Sequence, residues 1–75
     1  MNIRELLVDL SKSNSKSSYK SIATIILKNY NTGIFKNQIE LAKECFVSES
    51  VLTKFAKKLG FSGFREFNFS LKNEY

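Results

Sequence analysis

The residues with the clearest capacity for chemistry lie between positions 48 and 58, in the sequence SESVLTKFAKK. If this stretch is helical, Leu52, Phe55 and Ala56 share one apolar face, and a second face carries hydroxyl and charged side chains. Hydroxyl groups can donate to bases or phosphates, and a lysine ammonium can bind a phosphate or the edge of a guanine. The second face is therefore a candidate nucleic-acid surface, and its predicted members are Glu49, Ser50, Thr53, Lys54 and Lys57.

The charge of the chain agrees with a polyanionic partner. Its 75 residues include 12 Lys and Arg against 7 Asp and Glu, which gives a net charge of +5. The stretch from Thr53 to Arg65 contains basic residues and no acidic one, so the positive charge is concentrated beside the candidate surface. The alternative is a small helical module that binds another protein and whose basic surface is incidental. Phosphate contacts make affinity fall steeply with added salt, so salt dependence separates the two hypotheses.

The residue types that are missing exclude several other functions. The chain has no histidine, which rules out a His-dependent triad and a Cys/His metal site. Its carboxylates form no pair set apart from lysine-rich surroundings, so we predict neither an enzyme nor any cofactor. A lone cysteine, Cys45, cannot form an internal disulfide, and its predicted position on an inner helix face favours a buried thiol over a redox sensor.

Nothing in the sequence predicts a membrane segment. No apolar run approaches the roughly 18 residues that a membrane span needs. The first ten residues include Glu5 and Asp9 and lack the layout of a signal peptide. We therefore expect a cytoplasmic protein.

Helical spacing of apolar residues predicts an all-α domain, a compact bundle of about five helices. The first helix is predicted at residues 3–10 (IRELLVDL), followed by a flexible serine-rich connector at 11–18 (SKSNSKSS). A second helix ends at the NTG sequence of residues 31–33. A third begins after the predicted cap Asn37, and a fourth runs from the predicted cap Ser48 to about Leu59. A fifth begins at Ser62.

The third and fourth predicted helices have the spacing of a helix-turn-helix. About three residues separate them, too few for an antiparallel hairpin, so the helices should cross steeply with the small Ala42 at the contact. Val47 can fill the turn. Phe46 has two possible arrangements: a strained left-handed backbone, or a ring that packs against Tyr30 or Ile34, and we favour the packed ring.

The C-terminal half carries a more specific motif. The sequence LAKECFVSESVLTKFAKKLGFSGFREF resembles the N-terminal DNA-binding domain of RpiR-type bacterial transcription regulators. The matching elements are Leu41-Ala42, Val47-Ser48, the KLGF run of residues 58–61 and the GFRE run of residues 63–66. The resemblance implies a helical domain that binds double-stranded DNA and regulates transcription, with residues 1–75 forming that domain. It also implies a sugar-isomerase-type sensor domain after residue 75, which would bind a phosphosugar effector and link the regulated genes to sugar metabolism.

The residues that we predict to contact DNA form a longer set around the fourth helix. An anion site at the start of the fifth helix is one role for Ser62 and Gly63. The other is that Ser62 only caps the helix and Gly63 only permits close packing. The complete predicted set is Lys36, Asn37, Gln38, Ser48, Glu49, Ser50, Thr53, Lys54, Lys57, Lys58, Ser62, Gly63 and Arg65.

The first helix leads to a prediction about assembly. Its stripe of Ile3, Leu6, Leu7 and Leu10 cannot stabilise two helical turns alone, so it must dock on something. We predict a homodimer partly through this helix, with Phe69 adding to the contact, because two-fold symmetry suits a palindromic operator. The competing arrangement is that the stripe covers the core of its own domain.

Overall fold

The computed structural model describes residues 2–12 and 17–75, and every regular element in them is an α-helix. The predicted all-α bundle of five helices is confirmed. The helices are α1 (Ile3–Lys12), α2 (Ser17–Asn31), α3 (Gln38–Cys45), α4 (Glu49–Lys58) and α5 (Phe64–Glu74).

The predicted connector at 11–18 is shorter at both ends. Residues 11 and 12 belong to α1, and residues 17 and 18 belong to α2. The helix can accommodate a serine in its last turn because the Ser11 hydroxyl donates to the Val8 carbonyl at 2.8 Å. The remainder of the predicted connector, residues 13–16, lies outside the described residues.

The helices enclose one apolar core to which all five contribute. Phe55 of α4 is fully buried and meets Phe67 of α5 edge-to-face at 6.0 Å and Tyr19 of α2 at 5.6 Å. This places the inner face of α4 at the centre of the domain, as its apolar spacing predicted. The buried apolar side chains are Ile3, Leu7, Ile22, Ala23, Ile26, Leu41, Ala42, Cys45, Leu52, Phe55, Ala56, Phe64, Phe67 and Leu71.

The apolar stripe of α1 lies partly inside its own domain. Ile3 and Leu7 are buried in the core, and α1 packs mainly along α2. The Glu74 carboxylate at the end of α5 accepts the Ile3 N–H at 2.9 and 3.0 Å, which satisfies an otherwise unpaired amide at the helix start. Leu10 is half-buried and packs against the same core. The arrangement in which the stripe covers its own core therefore describes Ile3, Leu7 and Leu10.

The helices α2, α3 and α4 end with the same hydrogen-bond pattern, a Schellman motif around one left-handed residue. That residue is Gly33 (φ 73°) after α2 and Gly60 (φ 96°) after α4, as expected for glycine. After α3 it is Phe46, with φ 57° and ψ 42°. The Phe46 N–H donates to Lys43 O at 3.3 Å, and the Val47 N–H donates to Ala42 O at 3.0 Å.

The packed position that we predicted for the Phe46 ring is wrong, because 94% of this residue is exposed. The ring therefore lies in solvent and does not pack against Tyr30 or Ile34. Residue 46 thus combines a conformation that costs roughly 1–2 kcal/mol for an L-amino acid with an apolar side chain that gains no burial.

Candidate nucleic-acid interface

A short turn joins α3 to α4. Only residues 46–48 separate the two helices, and the buried Ala42 of α3 lies in the same core as Leu52 and Phe55 of α4. Val47 is half-buried and packs against this core, as predicted for a residue that fills the turn. The outer side of α4 therefore faces away from the rest of the domain.

The two predicted caps have different roles. Asn37 caps α3, since its Oδ1 accepts the Glu40 N–H at 2.9 Å. Ser48 occupies the cap position of α4 with extended backbone, but its side chain makes no capping hydrogen bond. Its hydroxyl instead pairs with the Ser50 hydroxyl at 3.0 Å, so both groups lie exposed at the start of the helix.

The Gln38 side chain joins the start of α3 to the first turns of α4. Its Nε2 donates to the Glu49 carbonyl at 2.7 Å and to the Thr53 Oγ1 at 3.0 Å. The Thr53 hydroxyl donates to the same Glu49 carbonyl at 3.3 Å. Both donor hydrogens of the Gln38 amide are therefore used within the protein, and the Thr53 hydroxyl proton is used as well. The sequence predicts DNA contacts for the Gln38 and Thr53 side chains, and in the structure they hold α4 on α3.

An exposed stripe remains along the outer side of α4. Ser50, Lys54 and Lys57 are spaced four and three residues apart, so they follow one another along a single helix face. Glu49 and Lys58 are also exposed. The Lys58 ammonium lies 6.0 Å from the centroid of the Tyr19 ring, at the outer limit of a cation–π contact, which directs it toward α2.

Lys36 lies in a polar junction between helices. Its ammonium is 3.1 Å from Glu44 Oε1, and Asn29 Nδ2 donates to the same oxygen at 3.0 Å. The hydrogen bond from Asn29 lowers the pKa of the Glu44 carboxyl, the Lys36 ammonium acts in the same direction, and burial opposes both. The Lys36 carbonyl accepts from Asn68 Nδ2 at 3.3 Å. Lys36, in the loop after α2, thus contacts α3 and α5, and a DNA contact would have to compete with Glu44 for its charge.

The start of α5 differs from what the sequence predicted. The helix begins at Phe64 with Gly63 at the cap position, so the predicted cap at Ser62 is wrong by one residue. A Cβ at Gly63 would meet nothing within 4 Å, so close packing does not require glycine there. The Glu66 carboxylate accepts the Ser62 N–H at 3.1 Å and places a negative charge at this helix start. That charge opposes a bound phosphate, although Ser62 and Arg65 are both exposed.

The cysteine of the chain, Cys45, is free and buried. Burial raises the pKa of the Cys45 thiol, and the Glu44 charge adds to the effect, so the group stays a protonated, buried thiol. Within residues 2–12 and 17–75 no three His, Cys, Asp or Glu side chains converge to hold a metal ion. Among the same residues no helix is both long and apolar enough to cross a membrane.

Comparisons with known proteins agree with this geometry. The family model described as a helix-turn-helix domain of the rpiR family matches residues 1–75. An uncharacterized HTH-type transcriptional regulator from Clostridium perfringens is 36% identical over 63 residues, which cover 84% of this chain and 23% of that protein. The chain thus spans about a quarter of the length of this relative. No solved structure matches the chain significantly.

Proposed function

The chain belongs to the rpiR family of helix-turn-helix domains, and we propose that it binds double-stranded DNA sequence-specifically with α4 in the major groove. DNA-binding transcription regulation is the class of function that the family and the Clostridium relative support. The family is one of regulator domains and not of enzymes. Binding the chromosome would put the protein in the cytoplasm.

The observation that carries this proposal is the exposed stripe of Ser50, Lys54 and Lys57 on a helix whose first turn is fixed by Gln38. A reading helix needs a defined position relative to the helix that lies across the DNA backbone, and the Gln38 bridge supplies it. Lys54 and Lys57 would contact phosphates, and Ser50 would reach base edges or phosphates.

The salt dependence of binding to a duplex of random sequence tests the phosphate contacts without knowledge of an operator. Each phosphate contact removed should reduce the slope of log affinity against log salt by about 0.9. We expect this reduction for Lys54→Gln and for Lys57→Gln. Lys72→Gln is the matched control, because it removes the same positive charge from an exposed side chain on another helix. Lys72 lies in the last turn of α5, next to the contact between Glu74 and α1.

The outcome separates the two functional hypotheses. If both α4 variants and the control have the slope of the parent, α4 does not contact phosphates. If the parent binds duplex DNA without salt dependence, the basic surface is incidental. A protein-binding module then becomes the better hypothesis, and the exposed Phe46 and Phe69 are the observation that favours it.

We also propose a homodimer as the working unit. A single helix-turn-helix buries too little surface for strong selectivity, and two-fold symmetry matches two half-sites. Phe69 supports the proposal because it is 65% exposed on α5, away from the side that buries Phe64 and Phe67. Since Ile3 and Leu7 are buried in the core and Leu10 packs against it, a contact through α1 would depend on the half-buried Leu6.

The family resemblance extends the proposal to regulation. We propose that the regulated genes serve sugar or phosphosugar metabolism, and that a phosphosugar binds elsewhere in the full protein. The greater length of the Clostridium relative is compatible with such a further region in that protein. Sugar phosphates should then change the DNA affinity of the full gene product and leave the affinity of residues 1–75 unchanged.

A further inference from the structure

The Glu49 carboxylate lies at the start of the helix that we propose to read DNA. It is exposed at the first position of α4 and is the sole acidic residue between Ser48 and Arg65. A carboxylate on a surface that approaches phosphates is repelled by them, unless a donor on the DNA compensates.

The Glu49 side chain has no polar partner within the described residues. Glu66 and Glu74 each accept a backbone N–H, and Glu44 is paired with Lys36. Among the described acidic side chains without such a partner, Glu49 is the one that lies on α4. In the part of the chain that the structure describes, the Glu49 carboxylate has neither a hydrogen bond nor an ion pair. Its backbone, in contrast, is held by the Gln38 and Thr53 side chains, so the position from which its side chain extends is fixed.

The chemistry of the major groove narrows the possible partners of a carboxylate. The polar atoms that guanine and thymine present in the major groove are all acceptors, so these two bases repel a carboxylate. Adenine presents one amino group beside the N7 acceptor, which repels the second carboxylate oxygen. Cytosine presents its N4 amino group, which can donate a hydrogen bond to a carboxylate. No acceptor atom of the same base lies beside it in the major groove to repel the second carboxylate oxygen.

We infer that Glu49 reads a cytosine in each half-site of the operator through the N4 amino group. The inference rests on the proposed function, because it requires α4 to lie in the major groove. It gives the otherwise unfavourable negative charge a role in specificity: the carboxylate attracts one base and rejects others. A purely local role, in which Glu49 stabilises the positive end of the α4 dipole, would affect stability and leave base preference unchanged.

Selection of bound duplexes from a random library, followed by titration of single-base variants, tests the inference. The parent chain should enrich a motif with cytosine at one position of each half-site. Replacing that base by guanine or thymine should weaken binding about ten- to hundredfold. Glu49→Gln should change the preferred base at this position from cytosine to adenine, because a glutamine amide pairs with adenine N6 and N7. Glu49→Ala should lose the preference there and keep the rest of the motif.

Glu40→Gln is the matched control, since Glu40 is an exposed carboxylate in the first turn of α3 and its loss removes the same charge. We expect its motif to equal that of the parent. If the parent enriches a motif and Glu49→Gln enriches the same one, the inference about Glu49 is wrong while the proposed function stands. If the parent enriches no motif, sequence-specific binding fails and the inference fails with it.

Discussion

Replacing Phe46 by glycine should stabilise the domain. The left-handed backbone at φ 57° costs an L-amino acid roughly 1–2 kcal/mol, and glycine avoids that cost. Since 94% of Phe46 is exposed, removing its ring forfeits almost no burial. Glycine loses more backbone entropy on folding, which offsets about 0.5–1 kcal/mol of the gain. We expect a net gain of about 0.5–1 kcal/mol in the free energy of unfolding, or about 2–8 °C in Tm for a domain of this size.

Two further variants separate the effect of backbone strain on stability from the effect of losing the ring. Stability is measured by urea and thermal unfolding, followed by far-UV circular dichroism. Phe46→Ala keeps the strained backbone and removes the ring, so its stability should stay close to that of the parent. Gly60→Ala introduces the strain into the same motif after α4, where a Cβ would meet nothing within 4 Å, and should destabilise by about 1 kcal/mol. Gly33 is a poorer comparison, because a Cβ there would lie 2.8 Å from the Tyr75 hydroxyl. If Phe46→Gly and Phe46→Ala both destabilise by 2 kcal/mol or more, as expected for loss of a buried ring (about 2–4 kcal/mol), the ring is packed and the reasoning is refuted.

Two other predictions concern pH and assembly. Because the folded pKa of Glu44 is lowered from its ordinary 4.5, its contribution to stability is present above that pH and is lost as pH falls through the folded pKa. The free energy of unfolding should therefore fall less steeply with decreasing pH for Glu44→Gln than for the parent. An equal steepness would contradict the lowered pKa of Glu44. Glu5→Gln, which removes an exposed carboxylate, is the control. Analytical ultracentrifugation with a duplex that carries two half-sites should give two chains per duplex for the parent and weaker pairing for Phe69→Glu, whose exposed site should leave Tm unchanged. Independent binding of both chains to the two half-sites would argue against the dimer.

Local sequence signals were sufficient to predict most of the fold. Apolar spacing predicted each helix. Asn37 correctly marked the start of α3 and Gly60 the end of α4, because capping and left-handed termini depend on a few adjacent residues. The error at Phe46 has a tertiary cause. Whether a turn residue packs or stays exposed depends on which surface the chain presents to it, and the sequence showed only that glycine was missing.

Side-chain partners across helices were harder to predict. Gln38 is among the residues predicted to contact DNA, but nothing within α3 indicates that its amide reaches Glu49 O and the Thr53 hydroxyl, eleven and fifteen residues away. The ion pair of Lys36 with Glu44 likewise forms only when the loop after α2 lies against α3. Lysine spacing predicted the exposed stripe on α4, since exposure follows directly from the position of the apolar face.

The most direct test of the central claim is an amide chemical-shift titration of residues 1–75 with the selected operator duplex. The account predicts that the largest changes occur in the outer face of α4, at Ser50, Lys54 and Lys57, and in the turn before it, with small changes in the last turns of α1 and α5. Changes concentrated on α1 or α2, with α4 unaffected at saturation, would contradict it.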